Sequence, residues 1–232
     1  MTKHIMEVIA LTLDDIRIAQ ENGADRIELA VGLAEGALTP SYGFMEQART
    51  ISQIPIFPMI RPRYGDAVYS RTEIESMKRD IRVAREMGMD GAVFGVLDKN
   101  QSLAVELMEE LISVSGSMDI TFTRVFDSTP DPIKTLEQLR QFSSIKRILT
   151  AGQADTLMEG ASAIREFQSK AGDRFRLMPG LGINPENIAD IVKATGAREF
   201  HMGVGLRMPE GPMGMLDGSK VSQIRKLLDN IE

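Results

Sequence analysis

Along the chain, short apolar runs with the two-residue period of strands alternate with longer stretches whose apolar positions recur every three or four residues, as on a helix facing a core. The runs predict eight strands, near 5–9, 26–29, 56–60, 92–94, 120–123, 147–149, 175–178 and 199–202. Three joints between a helical stretch and the next run share one local form: Asn22-Gly23-Ala24-Asp25-Arg26-Ile27-Glu28, Met87-Gly88-Met89-Asp90-Gly91-Ala92-Val93 and Thr195-Gly196-Ala197-Arg198-Glu199-Phe200-His201. In each, a glycine stands where a left-handed residue closes a helix, and a strand follows at once. Thr12-Leu13-Asp14-Asp15 and Ser70-Arg71-Thr72-Glu73 have the form of capping boxes, and Asn184-Pro185-Glu186 puts a cap residue before a first-turn proline.

Eight such units in 232 residues, about 29 residues each, predict an α/β chain folded as a single-domain (β/α)₈ TIM-like barrel over 1–232. A doubly wound open sheet is the alternative. The even spacing, the absence of a midpoint linker and the absence of a Gly-rich fingerprint after the first strand favour the barrel.

Charge interrupts this pattern at Glu7, Glu28, Arg61, Arg63, Arg124 and His201, where strand-like runs carry or end in an ionisable residue. Burying a charge is costly unless it is paired or lines a cavity. In the second strand Ile27 and Leu29 share one face, so Glu28 points into the barrel with Arg26; Glu7 and the Glu199/His201 pair follow the same alternation in strands one and eight. Arg61, Arg63 and Arg124 leave strands three and five at the carboxyl end, where barrel enzymes build their sites. Their guanidinium forks suit a carboxylate or phosphate. Glu7, Glu28 and Asp127 are the candidate proton-transfer groups, although the two glutamates could equally form a buried ion network with the arginines, and Asp127 could cap the turn before Ser128. Gly180 and Gly182 after strand seven, with Gly203 and Gly205 after strand eight, are candidates for a phosphate cradle or simply tight turns.

Composition removes several classes. With 43% hydrophobic and 26% charged residues the chain has the make-up of a globular protein with a full core. A net charge of -6 without a basic run predicts no nucleic-acid partner. No apolar stretch is long enough to span a bilayer and the first residues lack a signal-peptide pattern, so the cytoplasm is the expected location. Cysteine is absent, which excludes thiolate nucleophiles and thiolate metal sites. A soft metal would have to use His201, Met213 and Met215, in a Gly- and Pro-rich stretch that also reads as a plain surface loop.

Several ordered motifs together resemble the CutC family. They are Asn22 to Leu29, Glu35-Gly36-Ala37-Leu38-Thr39-Pro40-Ser41, Ile60-Arg61-Pro62-Arg63, Thr121-Phe122-Thr123-Arg124-Val125-Phe126-Asp127 and Ile148-Leu149-Thr150-Ala151-Gly152-Gln153. The resemblance runs nearly end to end and implies a cytoplasmic TIM-like barrel, a homodimer or other homo-oligomer, linked to copper homeostasis and copper-ion binding. Cysteines proposed as copper ligands near the first two strands of some relatives are absent here, and Thr123 stands where the family pattern commonly has His. Two functions therefore stay open: handling of copper, or catalysis on a small anionic or phosphorylated metabolite at the barrel mouth.

Overall fold

The glycine joints behave as the pattern predicts: Gly23, Gly88 and Gly196 adopt φ of +97°, +71° and +68°, and each ends a helix just before a strand. The computed structural model describes residues 3–231; Met1, Thr2 and Glu232, the outermost residues of the expected domain, lie outside them. Eight parallel strands alternate with eight helices: β1 (Ile5–Ala10), α1 (Leu13–Glu21), β2 (Arg26–Leu29), α2 (Tyr42–Ile51), β3 (Ile56–Pro58), α3 (Arg71–Glu86), β4 (Gly91–Phe94), α4 (Val105–Ser113), β5 (Asp119–Phe122), α5 (Pro132–Leu139), β6 (Ile145–Thr150), α6 (Leu157–Ala171), β7 (Arg176–Pro179), α7 (Ile188–Thr195), β8 (Glu199–Met202) and α8 (Gly218–Asp229). A two-stranded hairpin, β9 (Arg207–Met208) and β10 (Met215–Leu216), is inserted between β8 and α8.

The strands form two parallel arcs, β3-β2-β1-β8 and β4-β5-β6-β7. A Met59–Val93 bridge joins β3 to β4, and β7 lies beside β8, so the arcs close into a (β/α)₈ barrel. Alternation sorts the side chains into two layers. Met6, Val8, Ile27 and Leu29 pack outward with the helices, while Ile9, Phe57, Met59 and Val93 belong to a separate small cluster inside the barrel. A one-residue slip of β2 would turn Arg26 and Glu28 into the helix layer, so the burial of Ile27 and Leu29 fixes the charges on the inside.

Two local expectations change. Ser70 and Glu73 form a reciprocal capping box, but at α1 only Thr12 caps, because the Asp15 carboxylate is spent on the Leu11 amide and on Arg207. Asn184 does not start a helix: its side chain accepts from the Glu186 and Asn187 amides in a turn, and α7 begins at Ile188. His4 is buried, with Nδ1 3.2 Å from the Leu228 carbonyl and its ring against Phe200, so β1 and α8 hold that end. Among the described residues no helix is long and apolar enough to cross a membrane.

Candidate functional site

Strand register assembles the site. Glu7 on β1 lies level with Arg26 on β2 and with His201 on β8, while Glu28 sits one inward position further along β2, level with Ile9. Arg26 Nε donates to Glu7 Oε2 at short range, and Arg26 Nη2 donates to Glu199 Oε2 at 2.8 Å. Arg147 of β6 donates to the same Glu199 oxygen at 3.1 Å, and both guanidinium groups lie over the Phe57 ring, 5.5 and 5.1 Å from its centre. This lower layer of the barrel is a paired ionic network. Buried pairs of this kind are stable only when every charge has its partner.

Above it the pairing runs out. His201 Nδ1 is 2.7 Å from Glu7 Oε1 and 3.8 Å from Glu28 Oε2. Glu28 is 1% exposed, and its Oε2 has no hydrogen-bond partner among the described residues. Burial opposes ionisation of Glu7, but the Arg26 guanidinium outweighs it and His201 adds to the effect, holding this carboxyl well below the usual range. Burial pushes the Glu28 carboxyl up to about 7, against the attraction of His201 and with the repulsion of Glu7. For His201, burial disfavours the imidazolium, yet Glu28 and Glu7 together lift it above its ordinary value. Glu28 and His201 therefore titrate as a coupled pair, each competing for the other's proton.

Both residues line a cavity of about 330 Å³ at the carboxyl end of the strands. Its walls are largely apolar, including Ile9, Met59, Ile60, Leu149 and Leu181, and Arg61, Tyr69, Thr123 and Arg124 add polar groups. That size and make-up suit a small organic ligand. Gly180 leaves room for His201, since a Cβ there would lie 2.9 Å from the His201 Cβ.

The predicted residues divide clearly. Glu28, Arg61, Arg124, Gly180, Gly182, Gly203 and His201 line the cavity. Glu7 lies beneath the floor, behind His201. Arg61 reaches the carbonyls of Gly36 and Gly65, each at 2.5 Å, and so bridges the loops after β2 and β3. Arg124 Nε donates to Asp127 at 3.1 Å. Arg63 lies outside the cavity lining, bound to Glu73 at 2.5 Å and Asp66 at 3.0 Å. Asp127 clamps the loop after β6, accepting from the Thr150 hydroxyl and from the Ala151 and Gln153 amides at 2.8 and 3.3 Å, and is not in the lining. Gly205 is a packing glycine, where a Cβ would strike the Ile183 carbonyl at 2.3 Å. His201, Met213 and Met215 are not gathered: the two methionines lie outside the cavity lining and are 88% and 75% exposed at the β9–β10 hairpin.

Arg147 and Tyr69 were not singled out by sequence. A register shift between Ile120 and Thr121 leaves Lys146 exposed and sets Arg147 on the inward face with Leu149, and the run 147–149 is too short for its alternation to single that face out. Tyr69 stands in an irregular loop where no periodicity exists to read.

The architecture is thus a (β/α)₈ barrel with an ionisable pair at the floor of its carboxyl-end cavity. The CutC family model matches residues 4–206, and the chain belongs to the CutC family. A CutC family protein of Pasteurella multocida is 40% identical over 208 residues, spanning 89% of this chain and 85% of that protein. The human copper homeostasis protein cutC homolog is 37% identical over 246 residues, spanning 98% of this chain and 90% of the relative. The solved structure of the copper homeostasis protein CutC of Streptococcus agalactiae superposes with a TM-score of 0.82 at 31% identity, covering 86% of this chain and 98% of that one.

The family name raises copper, and the donors can be tested against it. Cu(I) takes thiolate and thioether ligands. The chain has no cysteine, its exposed hairpin methionines lie apart from the cavity, and the Glu7, Glu28 and His201 donors, which fall within 4.8 Å of one another, are carboxylates and an imidazole with Arg26 bonded to the first. This donor set does not fit a buried Cu(I) site.

Proposed function

We propose that the chain is an enzyme that moves a proton on a small organic anion bound in the carboxyl-end cavity. The observation that carries the reading is Glu28: a carboxyl 1% exposed at the cavity floor, with one oxygen unpartnered and its affinity for a proton set near neutrality. A carboxyl raised toward neutrality exchanges its proton more readily near neutral pH than an ordinary glutamate, which suits a general acid or base. His201, beside it, takes the complementary protonation state. Arg124, whose terminal nitrogens have no protein partner among the described residues, anchors the anionic end of the substrate, and Arg61 lies across the same mouth. The apolar walls hold the body of the molecule, and Glu28 and His201 face its reacting carbon. The glycine loops after β7 and β8 leave room for a carboxylate or phosphate to approach the backbone. The same reading takes the protein to be a cytoplasmic homo-oligomer, as expected from the sequence.

A thermal-shift screen of small carboxylates and phosphate monoesters tests it. A binder raises the Tm of the wild type, as any ligand selective for the folded state must, and Arg124→Gln loses most of that rise. If no organic acid stabilises the fold while copper binds one-to-one, the reading is overturned.

A further inference from the structure

Glu7 was a candidate proton-transfer residue from its place in β1, but it lies under the floor, and its surroundings give it a different task. Its two oxygens are both spoken for: Oε2 by the Arg26 guanidinium and Oε1 by His201 Nδ1 at 2.7 Å. Arg26 is in turn held by Glu199, and Glu199 by Arg147, so the carboxylate cannot turn without breaking a chain of buried contacts. Guanidinium has only donors, and a carboxylate facing it is an acceptor at both oxygens. The imidazole must therefore present a hydrogen on Nδ1. Nε2 has no protein partner among the described residues and is not among the sealed, unpartnered nitrogens, which leaves it open to the cavity that His201 lines.

We propose that Glu7 is a positioning residue that fixes His201 as the Nδ1–H tautomer, so that the nitrogen facing the cavity is Nε2 with its lone pair free. This rests on the proton-transfer reading of the cavity and assigns roles within it. His201 Nε2 is the base that receives a proton from the substrate, and Glu28, carrying its own proton, is the acid that returns one. After one turnover His201 is protonated at both nitrogens and Glu28 is ionised beside it, and transfer of a proton between them or through water restores the starting state. Atoms and charge balance without a further reactant. The reaction class is a proton relocation on one substrate: an isomerisation, an epimerisation or an enolisation.

The chain holds only two histidines, which makes the test direct. Nitrogen-15 NMR of the whole protein, recorded at a pH high enough that the ring shifts show neutral imidazole, reports the tautomer of each ring, with His201 assigned as the signal lost in His201→Gln. In the wild type the majority form expected is Nδ1–H. Glu7→Gln inverts it: the amide oxygen must face the donors of Arg26, so the amide NH₂ faces Nδ1, which becomes the acceptor and moves the hydrogen to Nε2. A majority Nε2–H form in the wild type overturns the assignment whether or not the variant folds. An unchanged majority form in a folded Glu7→Gln overturns it as well. Inversion supports it. The NMR readout needs no substrate, so a cavity that binds no organic acid defeats the proton-transfer reading separately, even with the tautomer as expected.

Discussion

Glu7 and Glu28 invite comparison because so much about them is the same. Both are glutamates on adjacent strands, both point into the barrel, and they are 0% and 1% exposed. Their proton affinities nevertheless move in opposite directions. Glu7 has a guanidinium on one oxygen and an imidazole on the other, whereas the nearest basic side chain to Glu28 is His201, whose Nδ1 lies 3.8 Å away and already faces Glu7. Equal burial thus yields a fixed anion where both oxygens are hydrogen-bonded and a titrating acid where, among the described residues, no hydrogen bond is made. The lower layer of the barrel is built to stay charged, and the upper layer to change charge.

The sharpest way to break this contrast is to remove the titrating acid. Glu28→Gln keeps the shape of the side chain and should lower turnover of whichever organic acid the thermal screen selects by roughly 10²–10⁴-fold. The same variant has a stability signature of opposite sign. Glu28 binds a proton in the folded state that the unfolded chain has released, because its folded value of about 7 exceeds the ordinary 4.5. Its favourable contribution is therefore complete below about pH 4.5 and is lost as the pH rises through about 7. His201, raised above 6.5, likewise gives up stability as the pH rises through its folded value. Urea titrations from pH 5 to 8 should show wild-type stability falling and Glu28→Gln falling less. An equal slope for the two proteins would mean that Glu28 does not titrate in this range.

The fixed layer makes the next largest claim. Arg26→Met leaves the buried Glu7 without its guanidinium and the half-buried Glu199 with Arg147 alone, at a cost of about 3–5 kcal/mol in unfolding free energy. The Glu7 contribution is present above its ordinary 4.5 and fades as the pH falls toward its depressed folded value, so the difference between the two proteins should shrink on acidification. A loss under 1 kcal/mol at neutral pH, read from denaturant midpoints, would show that the network does not hold the barrel together.

How much of this was legible in the sequence follows from the range of the forces involved. Strand alternation and the closing glycines are local, and they place all eight strands and turn Glu28, Glu7 and His201 inward without reference to any tertiary contact. What alternation cannot give is who pairs with whom. Arg61 and Arg63 flank one proline, yet only Arg61 reaches the cavity, because Arg63 is captured by Glu73 at the start of α3 and by Asp66 in the intervening loop. Asp127 had the chemistry of a base and is consumed by amides of the neighbouring β6 loop. Arg147 opens a run too short to show its face, and its partner Glu199 lies 52 residues away. The identity of the odd carboxylate, Glu28 rather than Glu7, depends on these distant partners and so required the fold.

The smallest effect expected is also the one that most directly confronts the family name. Met213 and Met215 are 88% and 75% exposed at the β9–β10 hairpin, outside the cavity, and the hairpin is anchored by other groups: Arg207 binds Asp15, the Ile9 carbonyl and the Gly214 carbonyl, each at 3.0 Å. Thioethers in water contribute little to folding, so replacing both methionines with serine should change stability by no more than about 0.5 kcal/mol. Organic-acid stabilisation should also be unchanged, since neither side chain lines the floor or the mouth. Copper retained after dialysis, measured by atomic absorption, should be the same in the double variant as in the wild type. If the wild type instead holds one Cu(I) and the variant none, the metal chemistry of this chain lies on its surface, and the contrast between Glu7 and Glu28 describes how the barrel is built and not what it does.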